Sequence, residues 1–355
     1  MKIYDDNLLK TYIDKIEPVS AAALRDCQRR FDGVAKPLGG LGKLEEFVAR
    51  IGSIQRTTNV DISRRKVLVC CGDNGVTKSG VSQSDSSVTL NIVKSLVAGT
   101  ASVSIMAKNA GALVSAIDMG MNESVEGTID RNVIRGCGNI CEGPAMSRSQ
   151  TLKAIIGGIE EVERCYEEKV GIICTGEAGI GNTTTSAAVA SVLLNKSVKD
   201  MVGRGAGLSD EGLQCKIRAI EKALQVNEPD KNDVIDVLSK VGGADIAGMV
   251  GIYLGGGYYG IPIIMDGVIS AIAALVAVRL CDHIKGYIIP SHMSSEIAMK
   301  YICEELEITP IINGGFHLGE GTGAVAMLPL LDMAIRVYYD AARFDDIGVE
   351  QYTKQ

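Results

Sequence analysis

The chain has 355 residues, 46% hydrophobic and 22% charged, enough for one large domain or two modest ones with a substantial core. Lys and Arg number 36 against 43 Asp and Glu, a net charge of −7, which argues against nucleic acid as the main partner because that affinity rests on basic side chains neutralising phosphates. Trp is absent and Phe numbers only 4, so the core is expected from small and aliphatic side chains.

The opening Met1-Lys2-Ile3-Tyr4-Asp5-Asp6 has no apolar run of the signal-peptide kind. The chain carries 10 Cys, several in apolar runs such as Val69-Cys70-Cys71 and Ile173-Cys174, which predicts reduced, mostly buried thiols in a cytoplasmic protein. Ala21–Phe31 reads as a helix. After the turn Lys36-Pro37-Leu38-Gly39-Gly40-Leu41-Gly42, a second helix places Leu44, Phe47, Val48, Ile51 and Ile54 on one face. No strand precedes these helices. Residues 1–60 are therefore expected to form a small helical domain, completed by the C-terminal helix, beside a large α/β domain over 61–355.

From there the pattern repeats: a short β-branched run, a glycine-rich turn, a longer helical run. Expected strands are Lys66–Cys71, Leu113–Asp118, Gly171–Thr175, Ile261–Met265, Tyr287–Pro290 and Pro310–Ile312. Expected helices are Ser87–Lys108, Thr151–Glu168, Thr184–Leu194, Ser209–Leu224, Ala244–Tyr253, Val268–Ile284, Ser294–Leu306 and Gly323–Tyr339. The alternation predicts parallel βαβ units, with ligands outside the carboxyl ends of the strands. Ile246–Met265 is uncharged and long enough to suggest a membrane span. Its Gly255-Gly256-Gly257 and Pro262 fit a buried helix, a glycine turn and a core strand better, so no membrane is expected.

Two glutamates are bracketed by glycines, in Gly176-Glu177-Ala178-Gly179-Ile180-Gly181-Asn182-Thr183-Thr184 and in Leu318-Gly319-Glu320-Gly321-Thr322-Gly323. Glycines permit close backbone approach and φ > 0. A carboxylate held there can face a ligand, which suits an acid/base residue. Gly176 to Thr185 also resembles an anion site: free N–H groups and the positive end of a helix dipole favour a phosphate. It lacks the Lys of a Walker A loop, and an ordinary N-terminus after a tight turn is the alternative. In Gly203-Arg204-Gly205-Ala206-Gly207-Leu208-Ser209, Ser209 is a cap, and Lys216 either swings back to a phosphate or is solvated. Taken alone, the segment favours a solvated surface lysine.

Asp73, in Cys71-Gly72-Asp73-Asn74-Gly75, either binds ribose hydroxyls or shapes a turn. His292, in Pro290-Ser291-His292, either titrates near neutrality or caps the next helix, and His317 beside the Glu320 loop is a rival general base. His283 reads as structural. Cys137 and Cys141 have a permissive spacing for zinc, but no second Cys/His pair stands nearby, so no metal is expected.

Together these segments resemble the nicotinate-nucleotide–dimethylbenzimidazole phosphoribosyltransferases (CobT family). Lys36–Glu45, Asp73-Asn74-Gly75-Val76, Arg135–Ile140 with Gly143–Ser147, Gly176–Thr184, Asp236–Gly243, Asp266-Gly267, Pro290-Ser291-His292 and Leu318–Ala324 carry the resemblance, in shared order along nearly the whole chain. The resemblance implies a Rossmann-like large domain, a small helical domain and a dimer, homomeric or with a related subunit. It implies a nicotinate mononucleotide donor, a benzimidazole-type acceptor, an α-ribotide and nicotinate as products, and no cofactor. Glu320 matches the family's catalytic base, Glu177 a second active-site carboxylate, and Lys216 a phosphate-contacting lysine. The expected binding residues are Gly176, Gly179, Ile180, Gly181, Asn182, Thr183, Gly203, Gly205, Lys216, Asp73, Ser84, Ile92, Asp266, Ser291, His292 and Leu318. The family's Asp-His-Gly is Asp73-Asn74-Gly75 here, Asp85 follows Ser84, and Ile92 stands where a pocket glutamine aligns. Those departures suggest a changed base, phenol or p-cresol included. A non-catalytic partner subunit is the alternative function, and retention of both glutamates argues against it. A nucleotide-binding dehydrogenase is disfavoured because no Gly-x-Gly-x-x-Gly follows the first strand.

Overall fold

The structure is a computed structural model and describes residues 3–205 and 207–352. Three helices come first: α1 (Asp6–Ile13), α2 (Ala21–Asp32) and α3 (Lys43–Ile54). Then follow β1 (Arg65–Gly72), α4 (Ser86–Val97), α5 (Ser102–Asn109), β2 (Ala112–Gly120), β3 (Ile129–Asp130), α6 (Arg148–Glu167) and β4 (Ile172–Ala178). The second half contains α7 (Asn182–Leu193), α8 (Val198–Met201), α9 (Asp210–Asn227), α10 (Val234–Val241), α11 (Ala244–Tyr259), β5 (Ile263–Met265), α12 (Val268–Leu280), β6 (Ile288–Pro290), α13 (Ala298–Leu306) and α14 (Thr322–Asp340).

The strands form one sheet in the order β3-β2-β1-β4-β5-β6, and every paired neighbour is parallel. This is a doubly wound Rossmann-like order. The direction of winding reverses between β1 and β4, so a crevice opens beyond their carboxyl ends. Helices cover both faces, so the central strands are buried on both sides and read as continuous apolar runs. On one face Phe47, Val48 and Ile51 of α3 join Val67 and Val69 of β1 and Leu328, Leu331 and Tyr338 of α14 in a single apolar cluster. An antiparallel bridge between Val34 and Arg343 ties the N-terminal helices to the chain's end.

Several elements differ from the sequence expectation. β4 runs on through Gly176, Glu177 and Ala178, which pair with Val69, Cys70 and Cys71 of β1, so Glu177 lies within the strand. The run Ser86–Asn109 is long and apolar enough to cross a membrane, but it turns at Gly99 (φ 73°) and makes two helices of 12 and 8 residues. Gly255, Gly256 and Gly257 lie inside α11 rather than in a turn. A Cβ on them would meet Val162, Ile263 and Ile284 at 2.7, 2.5 and 2.5 Å, so close packing, not chain reversal, requires glycine there. α12 stops at Leu280, and residues 282–287 form a 3₁₀ turn containing His283. Pro310–Ile312 is no strand: only Ile312 makes an isolated bridge, to His292.

Candidate active site

At the switch-point crevice lies a cavity of about 180 Å³, walled by Glu177, Asn182, Thr183, Lys216, Asp266 and Glu320 among others. Glu177 enters from the end of β4. Its carboxyl is buried and accepts a short hydrogen bond from Asn182 Nδ2. The same nitrogen donates to Asp245 Oδ2 at 3.1 Å. Burial, with the nearby charges of Asp245, Asp266 and Glu320, pushes Glu177 up to about 8, against the Asn182 bond. Burial likewise pushes Asp245 up to about 6.

Glu320 is presented differently. Gly319, Glu320 and Gly321 have φ of 86°, 61° and 95°, three left-handed residues in a row. For a non-glycine residue that conformation costs roughly 1–2 kcal/mol. Asp266 stabilises the turn: its oxygens accept from Gly321 N at 3.2 Å and Ala324 N at 3.0 Å, satisfying donors at the start of α14. Glu320 Oε2 accepts from Val103 N at 3.3 Å, in the first turn of α5. Burial raises its pKa, the Val103 bond opposes that, and Asp266 adds to it. The two glutamate segments touch. A side chain on Gly176 would collide with the Glu320 carbonyl, and one on Gly319 with Glu177 Oε1.

The anion end lies at the start of α7, where Gly181 (φ 95°) turns the chain. Lys216 Nζ donates to Thr183 Oγ1 at 2.8 Å and to the Gly203 carbonyl at 3.3 Å. Lys216 is only 1% exposed, and burial lowers it to about 8 while Glu296 pulls it back up. Glu296 Oε1 accepts from Gly205 N at 3.0 Å. A strand end, a glycine turn, a helix N-terminus and a buried lysine thus converge on one wall, suited to a phosphate. The carboxyl groups that line the same cavity suit a cation or a departing proton.

A family model described as "Phosphoribosyltransferase" matches residues 16–349. A relative from Acetivibrio thermocellus, named nicotinate-nucleotide–dimethylbenzimidazole phosphoribosyltransferase, is 43% identical over 330 residues, covering 92% of this chain and 94% of its own length. A Clostridium acetobutylicum relative of the same name is 40% identical over 346 residues, 97% of this chain and 98% of its own. The crystal structure of CobT from Thermus thermophilus superposes with a TM-score of 0.88 at 32% identity, covering 93% of this chain and 100% of that one. The chain belongs to the nicotinate-nucleotide–dimethylbenzimidazole phosphoribosyltransferase (CobT) family.

Of the residues singled out in the sequence, Glu177, Gly179, Ile180, Gly181, Asn182, Thr183, Gly205, Lys216, Asp266, His292, Leu318, Glu320 and Ile92 line the cavity of this family member. Others do not. Asp73 is buried, accepts from Asn122 N at 2.8 Å, and shapes the end of β1. Ser84 lies in the turn before α4, and Ser82 and Gln83 line the wall in its place. Ser291 is fully buried, donates to the Met265 carbonyl at 2.6 Å and lies 3.0 Å from His292 Nδ1. Gly203 offers Lys216 its carbonyl, and Gly176 packs under Glu320. Lys216 is buried, not a solvated surface residue. His292 Nδ1 is 4.0 Å from Asp266 Oδ1; burial lowers its pKa and Asp266 pulls the other way. His317 lines the rim, exposed, with Nδ1 2.8 Å from the Gly315 carbonyl.

Cys137 and Cys141 are buried: Cys137 Sγ accepts from Ala244 N at 3.3 Å, and Cys141 Sγ lies 3.3 Å from the Ala219 carbonyl. Among the described residues no group of three or more His, Cys, Asp or Glu is placed to hold a metal. Sequence reading passed over Asp245 and Glu296. Asp245 had a signal: it is the one charged residue of the otherwise uncharged run 241–265.

Proposed function

We propose that this chain transfers the phosphoribosyl group of nicotinate mononucleotide to 5,6-dimethylbenzimidazole or a related base, giving an α-ribotide and nicotinate for cobamide assembly. The observation that carries the reading is the pairing, in one cavity, of Glu320 and Glu177 with the buried Lys216 beside the α7 N-terminus. The donor phosphate lies against Lys216, Thr183 and the glycine turn. C1′ and the pyridinium then lie between the carboxyl groups, where the Asp266 and Glu320 carboxylates stabilise positive charge on the ribosyl carbon and Glu177, protonated below about 8, turns a neutral carboxyl to the donor. The acceptor nitrogen bonds to C1′ as the C1′–N bond to nicotinate breaks. The bonding pair neutralises the pyridinium, so the leaving group needs no acid. The acceptor's N–H proton goes to Glu320, whose burial-raised pKa makes it a better base.

Ile92 on the cavity wall extends the proposal to phenol and p-cresol. An apolar wall leaves a buried ring nitrogen unpaired at about 1–3 kcal/mol, and a phenol has no such nitrogen to lose. The reading also places residues 1–60 and α14 in a helical subdomain, supported by the packing of α3 on α14, and makes the active form a dimer, either of this chain or with a related subunit. Incubation with nicotinate mononucleotide and a panel of benzimidazoles, purines and phenols, read by mass spectrometry, tests it. Ribotide and nicotinate are the expected products. No nicotinate release with any base, alone or with a related subunit, overturns the activity; benzimidazole product without phenolic product overturns only the extension. Light scattering of the purified chain tests the dimer.

A further inference from the structure

Asp245, in the first turn of α11, has no exposed surface, so it touches no substrate. Its Oδ1 accepts from Ile246 N at 3.0 Å, and its Oδ2 from Asn182 Nδ2 at 3.1 Å. The amide nitrogen of Asn182 has two hydrogens, and both are used: one on Asp245, one on Glu177 Oε2. Glu177 Oε2 is thereby held on the protein side, and Oε1 is left facing Gly319. The chain closes tightly around this bridge. A Cβ on Gly179 would come within 2.7 Å of Asp245 Oδ2, and one on Gly243 within 2.5 Å of its Oδ1. Burying a carboxylate this completely is costly, and an asparagine, with one acceptor oxygen, would keep only one of the two bonds. Both carboxylate oxygens are thus engaged by the fold, and the charge they carry acts on Glu177.

We propose that Asp245 is a positioning residue for the transfer reaction, holding and electrostatically tuning the Glu177 carboxyl through the Asn182 side-chain amide. This rests on the phosphoribosyl-transfer reading for the role of Glu177, while the bridge itself stands on geometry. The charges that act on Glu177 are those of Asp245 on α11, Asp266 after β5 and Glu320 before α14, with the thiols of Cys70 and Cys71 on β1 near it. Lys216, His292 and His317 line the same cavity. Asp245 acts on Glu177 in two opposed ways: its charge disfavours the Glu177 carboxylate, and the amide it orients favours it.

The two effects separate by mutation. Infrared pH titration of the protonated-carboxyl band, assigned with Glu177→Gln, reads Glu177 directly without turnover. Asp245→Asn, its one amide oxygen turned to Asn182, keeps that acceptor, gives up the Ile246 bond and removes the charge, so the Glu177 titration moves down by about one pH unit. Asn182→Ala removes the bond that stabilises the carboxylate, so it moves up. Both variants lose about 10-fold or more in kcat, with donor KM changed much less, because Glu177 is misplaced rather than the donor lost. A Glu177 titration unmoved in both variants, or KM changes that match the kcat losses, overturns the proposal. If Asp245→Asn fails to fold by circular dichroism, the direction of the Asn182→Ala shift decides alone. Absence of transfer by the parent enzyme sinks the proposed function but leaves the titration readable.

Discussion

The two glycine-bracketed glutamates look alike in sequence and are held by opposite means. Glu177 sits within a strand, in relaxed extended backbone, and its side chain is buried and bridged to a second buried carboxylate. Glu320 sits in a left-handed turn, half-buried, its backbone strained and its carboxylate resting on a helix N-terminus. One glutamate is fixed by side-chain hydrogen bonds on an unstrained backbone, the other by backbone geometry that Asp266 enforces from below. The contrast separates roles. A base that takes a proton each cycle belongs on the accessible, strained turn. A group whose protonation is held fixed belongs in the buried bridge.

The largest effect is expected from Glu320→Gln. Removing the general base should cut turnover by about 10²–10⁴-fold while nicotinate mononucleotide binding, measured by calorimetry, is spared. Near-normal turnover would move the base to His317 and erase the contrast.

Glu177→Gln should show itself in stability against pH. Glu177 holds its proton to about 8 in the fold, against an ordinary 4.5. The native state then binds more protons than the unfolded chain between those values, so stability falls as pH rises through that window. Gln abolishes that term. The variant should gain on the parent from pH 5 to pH 8, by no more than about 4 kcal/mol in denaturant melts. A constant difference across the range would mean that Glu177 ionises normally.

Lys216→Ala tests the wall on the Glu177 side. A lost charge-assisted bond costs roughly 1.5–3 kcal/mol, so the nucleotide should bind more weakly while free nicotinate is little affected. Equal effects on both ligands would place the phosphate elsewhere. Burial holds Lys216 at about 8 against 10.5, so the unfolded chain binds more protons between those values. Stability should therefore rise with pH from 8 to 10.5 in the parent and not in Lys216→Met.

The smallest effect is at the seam. Gly319→Ala adds a Cβ at φ 86° that collides with Glu177 Oε1, and should cost about 1–2 kcal/mol in thermal melts. A neutral result would show that the two glutamate segments do not press on each other.

Sequence alone determined the alternation of elements, and with it the parallel sheet and the edge where ligands bind, because β-branched runs and 3.6-residue periodicity are local properties. It also marked Glu177 and Glu320, since glycines on both sides of a charge are a local signature. The same local reading assigned Gly255, Gly256 and Gly257 to a turn and Lys216 to solvent. Both reversed because their decisive partners lie outside their own helices: Val162, Ile263 and Ile284 for the glycines, Thr183 and Gly203 for the lysine. Asp73 and Ser291 left the cavity for a related reason, each being spent on a backbone group, Asn122 N and the Met265 carbonyl. Which polar group faces a ligand and which satisfies the fold is decided by long-range hydrogen bonding. That is why Asp245, silent in composition and spacing apart from its isolated charge, took its place only when α11 and α7 were brought together.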